Sequence, residues 1–274
     1  MRRTSRIYLL LAVVLALAGG ILMAKMVRPE KDATWERLQG GGQLRVAVDP
    51  SFPPFDDVNA QGEITGFDID LASALAQRLG TSPEFIVIAF DGLVDAVLAG
   101  KADVVISAFP LDQRLSEDVR YSQPYFDAGL VWVTRAESGL TDPQQLAQTT
   151  VAVEWGSQGD AWARAQKLPR VVRYETPDAT LAAVLAQEAD AAAIVDAVSA
   201  GLFPQPGLMI HTPPLTSDPY VIVMPKDAPK LAAAVDAALA EIIAEGEWTR
   251  LAEKYFSYPP PQPSNSLNDS QKAP

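Results

Sequence analysis

AVLAGKADVVISA (96–108) and AVLAQEADAAAIVD (183–196) are two versions of one phrase, about 87 residues apart. In each, an Ala-rich segment runs through AVLA, two residues intervene, and Ala-Asp leads into a short apolar run. A polar residue closes each phrase, Ser107 in the first and Asp196 in the second. The flanking sequence repeats as well. On the first side, LRVAVD (44–49), PEFIVIAF (83–90) and ADVVISA (102–108) read as strands. LASALAQRLG (71–80) and DGLVDAVLAG (91–100) between them read as helices stopped by glycine. On the second side, strands TTVAVEWG (149–156), VVRYE (171–175) and ADAAAIVD (189–196) alternate with helices SQGDAWARAQK (157–167) and ATLAAVLAQE (179–188). A β-α-β-α-β pattern, written twice, predicts an α/β fold of two similar lobes, each a mainly parallel sheet flanked by helices. PYVIVMPKD (219–227) then reads as a strand and residues 230–256 as one or two helices. Open parallel sheets take ligands beyond the carboxyl ends of their strands. Ser107 and Asp196 stand at such ends, one per lobe, which places a shared cleft between them.

Composition narrows the chemistry. The 274 residues contain no cysteine, which excludes thiol catalysis, disulfides and Cys-based metal or iron–sulfur sites. The single histidine, His211, speaks against Ser-His-Asp catalysis and excludes a multi-His metal centre. No cofactor and no metal is expected. The first 27 residues carry Arg2, Arg3, Arg6 and Lys25 and no acid; beyond them 18 basic residues face 34 acidic ones, a net charge of −16. Such a body repels nucleic acid, so no nucleic-acid partner is expected.

Three arginines followed by the apolar run Ile7–Ala24 give a basic n-region and an apolar h-region, the signature of export. Ala16-Leu17-Ala18 offers a cleavage site, yet the apolar run continues far enough to span a bilayer as an uncleaved anchor. Residues 1–27 are therefore a signal peptide or a signal anchor, and the protein is expected in the periplasm or on the outer face of the cytoplasmic membrane. Residues 28–43, charged and then Gly-rich, read as a linker or a short leading helix. The Pro/Ser/Asn-rich tail 259–274 reads as disordered.

Seven short phrases, in order over some 210 residues, resemble the periplasmic-type (type II) extracellular solute-binding proteins of family 3, the polar amino-acid class that feeds ABC importers. They are DPSFPPF (49–55), GFDIDLASALAQRLG (66–80), GKADVVISA (100–108), QRLSEDVRYSQPY (113–125), VAVEWGS (151–157), EADAAAIVD (188–196) and EKYF (253–256). The resemblance implies a periplasmic binding protein fold with lobe one at 44–134 plus 220–258, lobe two at 135–219, and two hinge strands near Val133–Glu137 and Thr216–Val221. It also implies a small-molecule ligand, an amino acid or related small carboxylate, and an ABC transporter permease as partner.

Carried over position by position, the resemblance assigns Phe52 and Phe90 to sandwich the ligand side chain, where aromatic faces give large apolar area at low entropy cost. Arg114 would pair with an α-carboxylate through its guanidinium fork, unless it pairs with Asp112, Glu117 or Asp118. Asp196 would take the α-ammonium together with Ser107 and Ala108; as a helix N-cap it would serve structure instead. Gly156, Ser157 and Gln158 form a helix start whose free N–H groups suit a carboxylate. Asp49 matches a position that meets a basic side chain in some relatives. Two departures stand out. Where the family carries Ser or Thr, this chain has Pro110 and Asp112; proline removes an N–H donor, and Asp112 is placed to engage Arg114 itself. The expected function is capture of a small zwitterion by hinge closure, not catalysis. The rival readings are a sensing module acting through a membrane partner and a dehydratase-like enzyme on the same fold.

Overall fold

A computed structural model gives residues 32–186, 192–203 and 206–256. The N-terminal apolar segment, residues 28–31 and the Pro-rich tail lie outside the described residues. Of the two readings of residues 28–43, the short leading helix is the one that forms: Ala33–Gln39 is a helix, α1. Asp32 explains it. Its Oδ1 accepts the Trp35 N–H at 2.8 Å, while Oδ2 accepts the N–H groups of Lys230 and Leu231 at 2.8 and 2.9 Å. One buried carboxylate thus caps the first turns of two helices, whose leading N–H groups have no partner inside the helix.

The first unit comprises β1 (Leu44–Val48), the hairpin β2 (Asp57–Val58) and β3 (Ile64–Thr65), α2 (Phe67–Arg78), β4 (Pro83–Val87), α3 (Leu93–Leu98), β5 (Val104–Val105) and β6 (Val119–Tyr121). The chain crosses through β7 (Phe126–Asp127) into β8 (Leu130–Arg135), β9 (Val151–Glu154), α4 (Gln158–Ala165), β10 (Val171–Tyr174), α5 (Pro177–Leu185), β11 (Ala192–Asp196), α6 (Ala197–Leu202) and β12 (Leu208–Ile210). It returns through β13 (Pro219–Tyr220) to β14 (Val223–Pro225) and closes with α7 (Pro229–Ala244) and α8 (Glu247–Tyr255). Gly246, at φ 73°, breaks the last helical run in two.

The two five-stranded sheets have orders β4-β1-β5-β14-β6 and β10-β9-β11-β8-β12. They share one plan. Three parallel strands come from the local βαβαβ unit, with the first strand in the middle. The fourth strand, β14 or β8, runs antiparallel to both of its neighbours. In both copies of the repeated phrase, a helix end leads to the third parallel strand.

Both faces of each sheet are covered, which is why the strands are apolar runs rather than alternating ones. Leu44, Val46 and Val48 pack with Leu71 and Leu75 on one face, and Ala47 and Val105 with Leu93 and Val97 on the other. In the second sheet, Val131, Val133 and Val195 face one cluster, and Leu130, Trp132 and Ile194 the other. Each buried Val or Leu contributes about 1.5–3 kcal/mol of transfer free energy.

Between the sheets, β7 and β13 pair antiparallel, Asp127 opposite Pro219 and Phe126 opposite Tyr220. The outward crossing is therefore at 126–129 rather than at Val133–Glu137. Val131 and Val133 are core residues of the second sheet, so the boundary expected after 134 falls several residues earlier. Asp127 ties the two crossings together. Its Oδ1 accepts the Gly129 and Asp218 N–H groups at 2.9 and 2.8 Å, and its Oδ2 accepts the Ser217 hydroxyl at 2.8 Å.

Candidate functional site

The carboxyl ends of β1, β5, β9 and β11 converge on two adjoining cavities of about 390 and 340 Å³. Phe52, Asp218 and Tyr220 line both, so the two form one cleft. Asp49, Phe90, Ser107 and Ala108 come from the first unit, Glu154, Ser157, Gln158 and Asp196 from the second, and Asp218 and Tyr220 from the return crossing.

On the first wall, every group is held by a neighbour. Asp49 Oδ2 accepts the Phe90 N–H at 2.7 Å, and its own N–H donates to Ser107 Oγ at 3.0 Å. Phe52 stacks on Phe55 at 5.8 Å, and Phe90 on Phe109 at 5.5 Å. Both outer rings stay open to the cleft, 48% and 43% exposed. Ser107 donates to Asp56 Oδ2 at 2.8 Å. The Ala108 N–H donates to Asp68 Oδ2 at 2.5 Å, which holds this non-glycine residue at φ 43°, a left-handed conformation that costs about 1–2 kcal/mol.

Behind this wall, Asp56 and Asp68 are fully buried. Burial first, then the Asp68 charge, pushes Asp56 up to about 9, against the pull of the Ser107 hydrogen bond. Burial also pushes Asp68 up to about 7, opposed by the Ala108 N–H and by the Tyr125 hydroxyl, which donates to Asp68 Oδ2 at 2.8 Å. Asp68 has the better donors, so Asp56 keeps its proton to the higher pH. On the floor, burial and the nearby Asp127 raise Asp218.

On the second wall, Gly156 at φ 74° turns the chain out of β9, and Ser157 caps α4 by accepting the Asp160 N–H at 3.2 Å. Asp196 also caps a helix, taking the Ser199 N–H at 2.8 Å and the Ser199 hydroxyl at 2.7 Å. Each of its oxygens retains a second lone pair, and Asp196 lines the cleft. The capping role and the cleft position hold together.

Eight expected site residues thus meet in one cleft, and Arg114 does not. Its side chain is 89% exposed, lines neither cavity, and is ion-paired to Asp112. The reason is local. Asp112 caps the 3₁₀ turn Gln113–Leu115, so its carboxylate, two residues before the arginine, captures the guanidinium: Arg114 Nε donates to Oδ1 at 2.9 Å and Nη2 to Oδ2 at 2.7 Å. That pairing holds Asp112 below the usual carboxylate range. His211 lies away from the cleft, stacked on Trp132 at 3.7 Å. Sequence reasoning missed Glu154, Asp218 and Tyr220. The repeat itself pointed to Glu154, since VAVD (46–49) and VAVE (151–154) close equivalent strands.

A cleft built from the strand ends of two α/β units joined by two crossings defines a bilobal solute-binding protein. Residues 44–258 match the bacterial extracellular solute-binding proteins, family 3, and the chain belongs to that family. It is 27% identical to the histidine-binding periplasmic protein of Salmonella typhimurium over 79% of this chain and 88% of that protein. It is 26% identical to the L-arginine-binding protein of Pseudomonas aeruginosa over 78% and 88%. Among solved structures, an ancestral cationic amino acid solute-binding protein is similar at 29% identity and a TM-score of 0.61, covering 81% of this chain and 99% of that one. An ancestral cyclohexadienyl dehydratase is similar at 26% identity and a TM-score of 0.70, covering 81% and 95%. Membership of the family places the chain's work outside the cytoplasm, as a solute-capturing component.

Proposed function

We propose that this protein captures a small amine-bearing solute of the amino-acid class between its two units and delivers it to the permease of an ABC importer. One observation carries the reading: the strand ends of both units, with Asp49 and Ser107 on one side and Ser157 and Asp196 on the other, line a single cleft bridged by only two crossings. A solute touching both walls binds the closed arrangement better than the open one and shifts the population by that difference. Micromolar capture needs about 8 kcal/mol in all. The family and the amine-binding relatives support the ligand class. Residues 1–27 export the chain and are either removed or kept as an anchor; membrane fractionation of the mature protein separates the two.

A second reading, dehydration of a cyclic carboxylic acid, is favoured by the dehydratase similarity and by Asp218, a cleft acid that burial holds above the usual carboxylate range. Thermal unfolding of the full chain with a panel of amino acids, amines and small carboxylates decides between them. A ligand at 100 times its dissociation constant adds about 2.7 kcal/mol, and it should be recovered unchanged. A panel member that is consumed speaks for the enzyme; no shift with any member overturns solute capture.

A further inference from the structure

Among the described residues, every charged side chain lining the cleft is an acid: Asp49 on the first wall, Asp218 on the floor, Glu154 and Asp196 on the second wall. Among the described residues, no lysine, arginine or histidine lines it. Both seats expected for an α-carboxylate are already engaged, in whole or in part, by the protein itself. Arg114 stands outside, its fork occupied by Asp112. At the start of α4, Asp160 Oδ2 accepts the Gly156 N–H at 3.2 Å and the Glu154 carbonyl accepts the Ser157 N–H at 3.3 Å, so two of the three N–H groups expected to meet a carboxylate are already engaged. Arg164 and Arg173, the nearby cations, are both bound to that same Asp160.

A carboxylate entering this space meets like charge on each side, and in a partly desolvated cleft such repulsion is strong. A cation meets a pre-oriented acceptor on either wall. Asp49 is fixed by the Phe90 N–H and Asp196 by Ser199. The open faces of Phe52 and Phe90 favour a cation further.

We propose that the cleft recognises its ligand as a cation at both ends, one group on Asp49 and one on Asp196, so that an aliphatic diamine or amino-guanidine lacking a carboxylate binds at least as well as the matching amino acid. This rests on the solute-capture reading and departs from it in making the α-carboxylate dispensable.

Isothermal titration of the full chain tests it with two matched pairs, L-arginine against agmatine (arginine without its carboxylate) and L-lysine against 1,5-diaminopentane, plus L-glutamine as a neutral control. Each carboxylate-free partner should bind within threefold of its amino acid or more tightly, and glutamine at least tenfold more weakly. Asp49→Asn and Asp196→Asn should each weaken agmatine at least tenfold. Both keep an acceptor for the Phe90 or Ser199 N–H, so an unchanged melting temperature verifies the fold. Arg114→Ala should change agmatine affinity less than twofold. If removing the carboxylate weakens binding more than threefold, or glutamine binds best, the cation proposal fails while solute capture stands. If no amino acid and no amine binds, both fail.

Discussion

Asp49 and Glu154 hold the same place in two equivalent strands. Each follows a Val-Ala-Val run, 46–48 in β1 and 151–153 in β9, each strand lies between its two parallel partners, and each residue lines the cleft. The duplicated plan therefore delivers one acid to each wall at the point where parallel sheets receive ligands. The crossing strand adds Asp218 between them. The acidity of the cleft is a consequence of the fold's symmetry acting on acids at matched strand ends.

Phe52 and Phe55 stack on one another but have opposite duties. Phe52 is half exposed over the cleft; Phe55 is buried and meets Phe67, Phe126, Tyr220 and Phe256 edge-on at 4.9–5.9 Å. Phe52→Ala should weaken ligand binding roughly tenfold to a hundredfold with little change in melting temperature. Phe55→Ala should cost about 3–5 kcal/mol of stability. Titration and urea unfolding of both variants check the split; equal loss of stability contradicts it.

Gly129 sits where the outward crossing meets the return. A Cβ there would lie 2.0 Å from the Thr216 carbonyl oxygen, a backbone atom that cannot swing aside. Gly129→Ala should spread the crossings, lose about 1–3 kcal/mol, and weaken ligand binding although residue 129 lines no part of the cleft. Unfolding and titration together test this, and an unaffected affinity would place hinge geometry outside the binding mechanism.

Asp56 and Asp68 set a pH dependence. Both stay protonated in the folded chain above 3.8, the value at which an ordinary carboxyl loses its proton. Between that point and their raised values near 7 and 9 the folded state binds more protons than the unfolded one, so stability falls as pH rises. The melting temperature should therefore drop from pH 5 to pH 8.5, and Asp56→Asn, neutral throughout, should flatten the slope. A variant slope equal to or steeper than that of the parent would show that the pair ionises freely.

Asp32 caps α1 and α7 with its two oxygens. Asp32→Ala should cost about 2–4 kcal/mol, two caps at about 1–2 each. Asp32→Asn, with one acceptor left, should fall between. Urea denaturation measures both, and a loss below about 0.5 kcal/mol for alanine contradicts the double cap.

The sheets were legible in the sequence because Val-, Ile- and Ala-rich runs alternate with glycine-stopped helices, and the repeated phrase places equivalent strands in both units. The Ser107 and Asp196 positions followed from strand ends, a rule that depends on local order alone, whereas Asp49 followed only from the family resemblance. Glu154 is equally readable from VAVE, the counterpart of VAVD. For Arg114 the sequence left two partners open, a ligand carboxylate or Asp112, and the structure shows Asp112 taking the guanidinium through a two-residue local contact. Helix α1 could not be told from a linker because its cap also binds residues nearly 200 positions later. Asp218 and Tyr220 belong to the cleft only through the pairing of two crossings distant in sequence.

The central claim is that ligand draws the two units together over the cleft. Asp91, beside Phe90, and Glu175, just past the carboxyl end of β10, are exposed, one in each unit. The natural chain has no cysteine, so Asp91→Cys with Glu175→Cys gives two unique spin-label sites. The label-to-label distance, measured by pulsed electron resonance without ligand and with saturating agmatine or L-arginine, whichever binds more tightly, should shorten and narrow on binding. An unchanged distance distribution at saturation would contradict capture by closure.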